Sequence, residues 1–325
     1  MGAIKKSAED FINEVIIPIE QVNADSGKLF VFFSGMPKLD TKTTKYTGVY
    51  DRDDYDDKWH FPTEVSPGNW IQDSEIRLVT LSGVLWHGSR GGELYKAEYE
   101  GEKERLNLHD FILYMTPRNE YQENQMKGLE HIDTCINKGI KVKKARLLER
   151  VKNWTPYLLW SFAIDCVEHA YSLHKDYLLD IYKEGIIFAR AYSRSSCGMG
   201  EIELEAVLDR WADKGKYPSY EMSLGFKYKL ELEKAINKAI ESDITTPYLG
   251  KAIIEAIDPY NPFTVANYVR TAISMLQRKY RDEYDYPDIA KDYQREQVLL
   301  DRIWHALQKK EFDWQVNHLS EILGE

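Results

Sequence analysis

Two Asp–His pairs are the residues whose types and spacing are best suited to chemistry. Asp165 precedes His169 by four residues, and Asp301 precedes His305 by four. Residues four apart lie on the same face of a helix, so each carboxylate can touch its imidazole. If the two helices converge, the four side chains would form one metal site. The alternative is a local pair on a partly buried helix, since the chain has no HExxH, HxH or ExxH motif.

Cys197 is a second candidate, because it lies in the Gly- and Ser-rich segment SSCGMG after Arg190 and Arg194. Neighbouring cations lower the pKa of a thiol and activate it as a nucleophile. A cysteine hydrolase also needs a nearby base, for which His169 and His174 are the candidates. The sequence therefore keeps open a metal- or thiol-dependent enzyme with its site in the helical region.

The favoured site is a different one, the irregular stretch 46–73, in which aromatic rings alternate with aspartates. A calcium loop does not fit Asp51–Asp57, since the sixth position lacks Gly and the twelfth lacks Glu. Aromatic rings with carboxylates are good interface material instead, because rings bury large rigid areas and charges steer association. We expect a partner-binding site formed by Tyr50, Asp53, Asp54, Tyr55, Asp56, Asp57, Trp59 and Trp70.

The elements before this stretch and shortly after it predict a small α+β unit on an antiparallel sheet. An amphipathic helix is predicted over 3–24 and a buried strand over LFVFF at 29–33. Strand character returns at 75–81, at SGVLWHG (82–88) and at 93–100, where apolar and polar residues alternate. Pro117 and the polar residues after it set the predicted domain boundary, giving residues 1–118 as the first domain.

Residues 119–325 are predicted to form a large all-α bundle or repeat-like domain, so the fold class is α+β. The stretch 154–194 forms its core, because the helix that begins at Thr155-Pro156 is apolar around most of its circumference. Residues 138–152 carry seven basic residues and one Glu, which indicates a lysine-rich helix face or a local anionic contact. Predicted helices span 119–138, 140–153, 155–174, 176–194, 201–214, 219–242, 246–257, 263–284, 287–309 and 311–323.

Composition favours an ordinary globular protein of the cytoplasm. The 325 residues have a net charge of −10, which argues against general binding to a phosphate backbone. Three cysteines without CxxC spacing indicate free thiols in a reducing compartment. The N-terminus does not have the pattern of a signal peptide, and no apolar run reaches the length of a membrane helix. No cofactor is expected, nucleic acid is an unlikely partner, and homo-oligomerisation is left open.

Three segments of the helical half form a recognisable set, and they are LLWSFAIDCVEHAYSLH (158–174), VANYVRTAISM (265–275) and YQREQVLLDRIWHAL (293–307). Together they resemble a bacterial immunity-protein family linked to polymorphic toxin systems. Cys166, Glu168 and His169 match the family's Cys-x-Glu-His-like segment, whereas residues 1–118 match nothing in it. The resemblance implies a non-catalytic helical protein that binds and blocks another protein. We therefore expect a non-enzymatic interaction protein, of the immunity or anti-defence type, that inhibits its partner.

Overall fold

The computed structural model contains a small antiparallel sheet and a set of helices, which confirms the predicted α+β class. It describes residues 10, 12–13, 29–32, 38–39, 46–47, 68–87, 94–106, 136–174, 179–196, 223–242, 246–257, 259, 262–276 and 293–325. The chain forms two compact units. One combines Glu9–Trp154 with Val316–Glu325, and the other combines Met1–Ala8 with Thr155–Gln315. We call them the sheet unit and the helical unit.

The main sheet has five described strands, all antiparallel to their neighbours. They are β1 (Leu29–Phe32), β4 (Trp70–Val79), β5 (Leu94–Tyr99), β6 (Lys103–Arg105) and β7 (Gly139–Arg150), in the order β4-β1-β5-β7-β6. Strand β4 also pairs with β7, so β4, β1, β5 and β7 form a closed circuit of pairings. A separate two-stranded ribbon joins β2 (Lys38–Leu39) to β3 (Tyr46–Thr47).

Strand β7 organises the sheet because it pairs with three other strands. Its first half contacts β4 on one side and β6 on the other, and its second half contacts β5. The core under it is formed by Ile76, Leu78, Val142, Ala145 and Leu147, each at most 4% exposed. These residues lie on two strands that are remote in sequence, so the core forms only when β4 and β7 pair.

The prediction of a helix over 140–153 is therefore wrong, because these residues form β7. Lys-rich spacing allowed Leu148 to pack inward on a helix, whereas in the strand Leu147 is buried and Leu148 is 41% exposed. The apolar residues of this short segment fit both the helical and the strand periodicity. Pairing with β4, β5 and β6 decides for the strand. The predicted boundary at residue 118 consequently lies before a strand of the sheet, and the sheet unit continues to Trp154.

The strand expected over 82–88 is also wrong, since Leu81–His87 forms the short helix α1. Thr80 begins it in the manner of an N-cap, because its Oγ1 accepts a hydrogen bond from Gly83 N at 3.1 Å. The Thr80 carbonyl accepts from Val84 N at 2.9 Å. Other strand predictions are confirmed, with β1 in 29–33, β4 over 75–79 and β5 in 93–100.

Six further helices follow. They are α2 (Pro156–Leu173), α3 (Asp180–Ser196), α4 (Ser223–Ser242), α5 (Pro247–Ile257), α6 (Pro262–Ser274) and α7 (Tyr293–Leu323). Thr155 caps α2 as predicted, because its side chain accepts a hydrogen bond from Leu158 N. Phe162, Ala163, Cys166 and Ala170 of α2 are fully buried, which confirms α2 as a core helix.

Helix α7 is continuous, so the break predicted between 309 and 311 is wrong. The polar residues there form pairs four apart along the helix, Lys309 with Asp313 and Glu311 with Gln315. Such pairs stabilise a helix rather than interrupt it. The division between the two units falls within α7, after Gln315. The predictions for 14–24, 119–135 and 201–214 lie outside the described residues.

Candidate functional site

The outward face of the sheet carries two parallel rows of side chains across three strands. In the first row Trp70 on β4 is paired with Arg146 on β7, and Arg146 is paired with Glu98 on β5. In the second row Gln72 is paired with Lys144, whose carbonyl accepts from Glu100 N at 3.1 Å. Directly opposite residues of neighbouring strands point to the same face. We call Trp70, Glu98, Glu100, Lys144 and Arg146 the sheet-face array.

The sheet-face array combines an aromatic ring with two ion pairs. The Lys144 ammonium and the Arg146 guanidinium each lie 4.8 Å from the centre of the Trp70 ring. Lys144 donates to Glu100, with 2.5 Å between nitrogen and oxygen, and Arg146 donates to Glu98. The four charged side chains are between 36% and 53% exposed. The array is therefore a surface that other molecules can reach, with its aromatic ring held in place by cations.

The predicted partner-binding stretch reaches this surface at one residue. Trp70 is the first residue of β4 and is half-buried within the array. The other predicted residues, Tyr50, Asp53, Asp54, Tyr55, Asp56, Asp57 and Trp59, lie outside the described residues. For these seven, a binding role remains a prediction from the sequence.

The polar stripe of α2 is occupied by an arginine from α3. Arg190 donates to Asp165 at 2.5 Å, to Ser161 at 3.0 Å and to Glu168 at 3.2 Å. Burial lowers the pKa of Arg190, but the hydrogen bonds that it donates to Glu168 and Asp165 outweigh this effect, and the net shift of its pKa is upward. Asp165 thus balances a cation of the neighbouring helix, which fastens α2 to α3.

His169 turns to the other side of α2, toward α7. Its ring stacks on Trp314, with centroids 3.8 Å apart and an interplanar angle of 8°. Its Nδ1 lies 3.0 Å from a Glu311 carboxylate oxygen, but outside hydrogen-bond alignment. Glu311 is 3% exposed, so the imidazole covers a buried carboxylate.

A buried arginine completes this side of the helical unit. Arg270 of α6 is 5% exposed and donates to Gln315 Oε1 at 2.7 Å. Gln315 Nε2 donates in turn to Glu311 at 2.9 Å and to the Ala266 carbonyl at 3.1 Å. Burial lowers the pKa of Arg270 to about 10, an effect that Glu311 opposes, so the side chain stays cationic at neutral pH. Gln315 thereby links a buried cation to a buried anion.

The metal hypothesis for Asp165, His169, Asp301 and His305 gains no support from these contacts. Asp165 faces Arg190, and His169 faces Glu311 and Trp314. Asp301 is exposed on α7 and His305 is half-buried there. Within the described residues, no group of three or more His, Cys, Asp or Glu side chains is arranged to hold a metal ion. The thiol candidate Cys197 lies outside those residues.

Cys166 is the cysteine that the structure places in this network. Its side chain is fully buried, and burial raises the pKa of the thiol well above its usual value, with the Glu311 and Asp165 carboxylates adding to the effect. A thiol nucleophile needs the opposite shift, because the thiolate is the reactive form. Cys166 is therefore a packing residue.

Sequence reasoning missed the buried polar network that begins at Glu311 beside His169 and continues through Gln315 to Arg270. Arg270 had one signal, since it is the only charged residue of helix α6, and a charge on a buried helix needs a polar partner. Glu311 and Gln315 had none, because α7 is rich in polar residues throughout. The sequence identified Lys144 and Arg146 as basic residues, but the helix predicted over 140–153 gave no reason to expect them beside Trp70.

Comparison with family models, curated proteins and solved structures finds no match for this chain. Among the helices that the structure describes, none is both long enough and apolar enough to cross a membrane.

Proposed function

We propose that this protein is a non-enzymatic interaction protein that binds and inhibits a protein partner, of the immunity or anti-defence type. The observation that carries the proposal is the sheet-face array, in which Trp70 is framed by Lys144 and Arg146. Trp and Arg are the residue types that contribute most to protein–protein binding energy. Here both are held on paired strands and remain partly exposed.

Preorganisation of these side chains supports the proposal. Each cation contacts the Trp70 ring and a carboxylate at the same time, Glu98 on β5 or Glu100 just after it, so its rotamer is restrained before any partner arrives. Restrained side chains lose less conformational entropy on binding, which raises affinity. The acidic, aromatic stretch 46–73, which contains Trp70, adds aromatic contact area and steering charge by sequence.

The alternative function, a metal- or thiol-dependent enzyme, has weaker support. Asp165 is matched by Arg190 of α3, and Gln315 of α7 joins Glu311 to Arg270 of α6, contacts typical of side chains that fasten helices together. Of these residues, Asp165 lies in a helical segment that resembles immunity proteins. We assign Asp165, Arg190, Glu311 and Gln315 a structural role within the helical unit.

Affinity capture from a lysate of the native host, followed by mass spectrometry, identifies the partner. The partner is then purified, and its affinity is measured for the protein, for Trp70→Ala and for the loop variant Asp53→Asn, Asp54→Asn, Asp56→Asn, Asp57→Asn. We expect Trp70→Ala to weaken binding by about 30-fold, since anchor residues contribute roughly 2 kcal/mol or more. The loop variant should lower the association rate.

Tyr248→Ala is the matched control, because Tyr248 is also a half-buried ring with a lysine over it, but in the helical unit. It should leave the affinity unchanged. Unchanged affinity in both Trp70→Ala and the loop variant would refute the assigned surface. A partner that the protein chemically converts would refute the non-enzymatic assignment.

A further inference from the structure

Strand β7 and the two residues after it carry a net charge opposite in sign to that of the whole chain. Residues 139–152 contain six cations and one carboxylate, a net charge of +5, so the other 311 residues carry −15 between them. Lys143, Arg150 and Lys152 are exposed, while Lys144 and Arg146 lie half-exposed in the sheet-face array. Leu148, 41% exposed, lies among them.

We propose that this basic strip (Lys143, Lys144, Arg146, Leu148, Arg150 and Lys152) takes an acidic surface of a protein partner. The inference rests on the proposed function and specifies the chemistry of the partner. Alternate residues of a strand lie on one face about 6.6 Å apart, so Lys144, Arg146 and Leu148 form a line of about 13 Å. The register shifts by one residue between the Leu147 and Arg150 pairings, so Arg150 is exposed beyond the end of this line rather than in it. A partner can meet that line with separate carboxylates around one apolar contact.

Nucleic acid fits the same strip less well. Glu98 and Glu100 lie beside the cations of the sheet-face array, where a continuous row of phosphates would meet them. Lys144 and Arg146 each lie 4.8 Å from the centre of the Trp70 ring, so a base that stacked where they lie would have to displace them. A long polyanion would also be repelled by the net charge of −15 on the rest of the chain. A folded partner can place its acidic patch against the strip alone. Its repulsion from the acidic remainder of the chain is then largely screened beyond about 8 Å at physiological salt.

The test uses two fluorescently labelled probes, an oligo-glutamate peptide and oligo-dT single-stranded DNA of equal charge, titrated with the full-length protein. Fluorescence anisotropy is recorded at low and at physiological ionic strength. We expect the peptide to bind at low ionic strength and to be weakened by salt. The variant Lys143→Gln, Arg150→Gln, Lys152→Gln should bind it about tenfold more weakly, since each exposed ion pair contributes roughly 0.2–1 kcal/mol.

The control removes the same charge from the helical unit, with Lys183→Gln, Lys234→Gln and Lys251→Gln, all at exposed positions. It should bind the peptide like the unaltered chain. Equal weakening in both triple variants, or no binding of the peptide at low salt, would overturn the proposal. Tighter binding of DNA through the same strip would replace it with a nucleic-acid site. If the strip variant binds the peptide as tightly as the unaltered chain, the strip proposal fails. If Trp70→Ala still lowers the affinity for the captured partner, the proposed function stands.

Discussion

Arg270 and Glu311 form a buried charge pair that is joined through an amide rather than by direct contact. Arg270 is 5% exposed and Glu311 is 3% exposed, and Gln315 hydrogen-bonds to both. Burial of either charge alone is costly, because the low-dielectric interior gives little solvation. The pair is therefore expected to show strong coupling even though an amide separates the two charges.

We expect Glu311→Gln and Arg270→Met each to lower the free energy of unfolding by about 3–5 kcal/mol, because each removes one member of a buried pair of opposite charges. The double variant should lose at least about 2 kcal/mol less than the sum of the two. Urea denaturation followed by circular dichroism measures all three. Asp313→Asn on the same helix is the control, since its side chain is 49% exposed and its loss should cost under about 1 kcal/mol. Additive single effects would contradict the coupling.

Cys166 gives the helical unit a stability that depends on pH. Burial holds the pKa of its thiol above the usual value, so the folded protein keeps the proton while the unfolded chain loses it near about 8.5. The folded state then binds more protons than the unfolded state above that pH, and stability falls as pH rises.

We expect the unfolding free energy at one pH unit above 8.5 to drop by about 1.4 kcal/mol through Cys166. The measurement uses a chain with Cys135→Ser and Cys197→Ser, compared with the same chain carrying Cys166→Ala as well. The additional Ala variant should lose this part of the pH dependence while it is less stable at every pH. Identical slopes in the two chains would show that Cys166 is not responsible.

At the scale of elements, two glycines allow helices to approach closely. A Cβ at Gly185 of α3 would lie 2.5 Å from Ile253 Cγ2 and 2.9 Å from Ile236 Cδ1. A Cβ at Gly250 of α5 would lie 2.6 Å from Ile240 Cγ1 and 2.8 Å from the Tyr182 hydroxyl. Helices α3, α4 and α5 thus pack with backbone against side chain.

Gly185→Ala should lower the unfolding free energy by about 1–3 kcal/mol, because overpacking outweighs the gain of about 1 kcal/mol in helix propensity. Thermal denaturation measures the change. Adding Ile253→Ala, which removes the atom that clashes, should cost less than the two single effects combined. Lys183→Ala, exposed on the same helix, is the control and should change stability by no more than about 0.5 kcal/mol. If Gly185→Ala stabilises the protein, the packing of α3 against α4 and α5 can accept a methyl group and the prediction is wrong.

At the scale of the whole molecule, charge is distributed unevenly. The chain carries −10 overall and has an isoelectric point near 5.4, whereas residues 139–152 carry +5. Repulsion between molecules keeps proteins soluble, and it is weakest where the net charge vanishes.

We therefore expect a solubility minimum near pH 5.4, measured by precipitation with polyethylene glycol across a pH series. The triple variant of the basic strip should shift the minimum to lower pH, because it removes three positive charges. The triple lysine variant of the helical unit should shift it equally, since net charge decides this property. A minimum that does not move in either variant would contradict the explanation.

The elements that could be predicted from the sequence alone are those with a clear apolar pattern or a local helix cap. The helix α2 was predictable because Thr155-Pro156 begins it and apolar residues surround it, and β1 because LFVF is a short apolar run. The polar stripe with Asp165 and His169 was predictable from spacing, but its partners Arg190 and Glu311 were not, since they come from other helices. Only the tertiary structure decided that 139–150 is a strand, because a segment that fits both periodicities takes the one its neighbours can pair with. That pairing brought Lys144 and Arg146 onto Trp70 and created the sheet-face array.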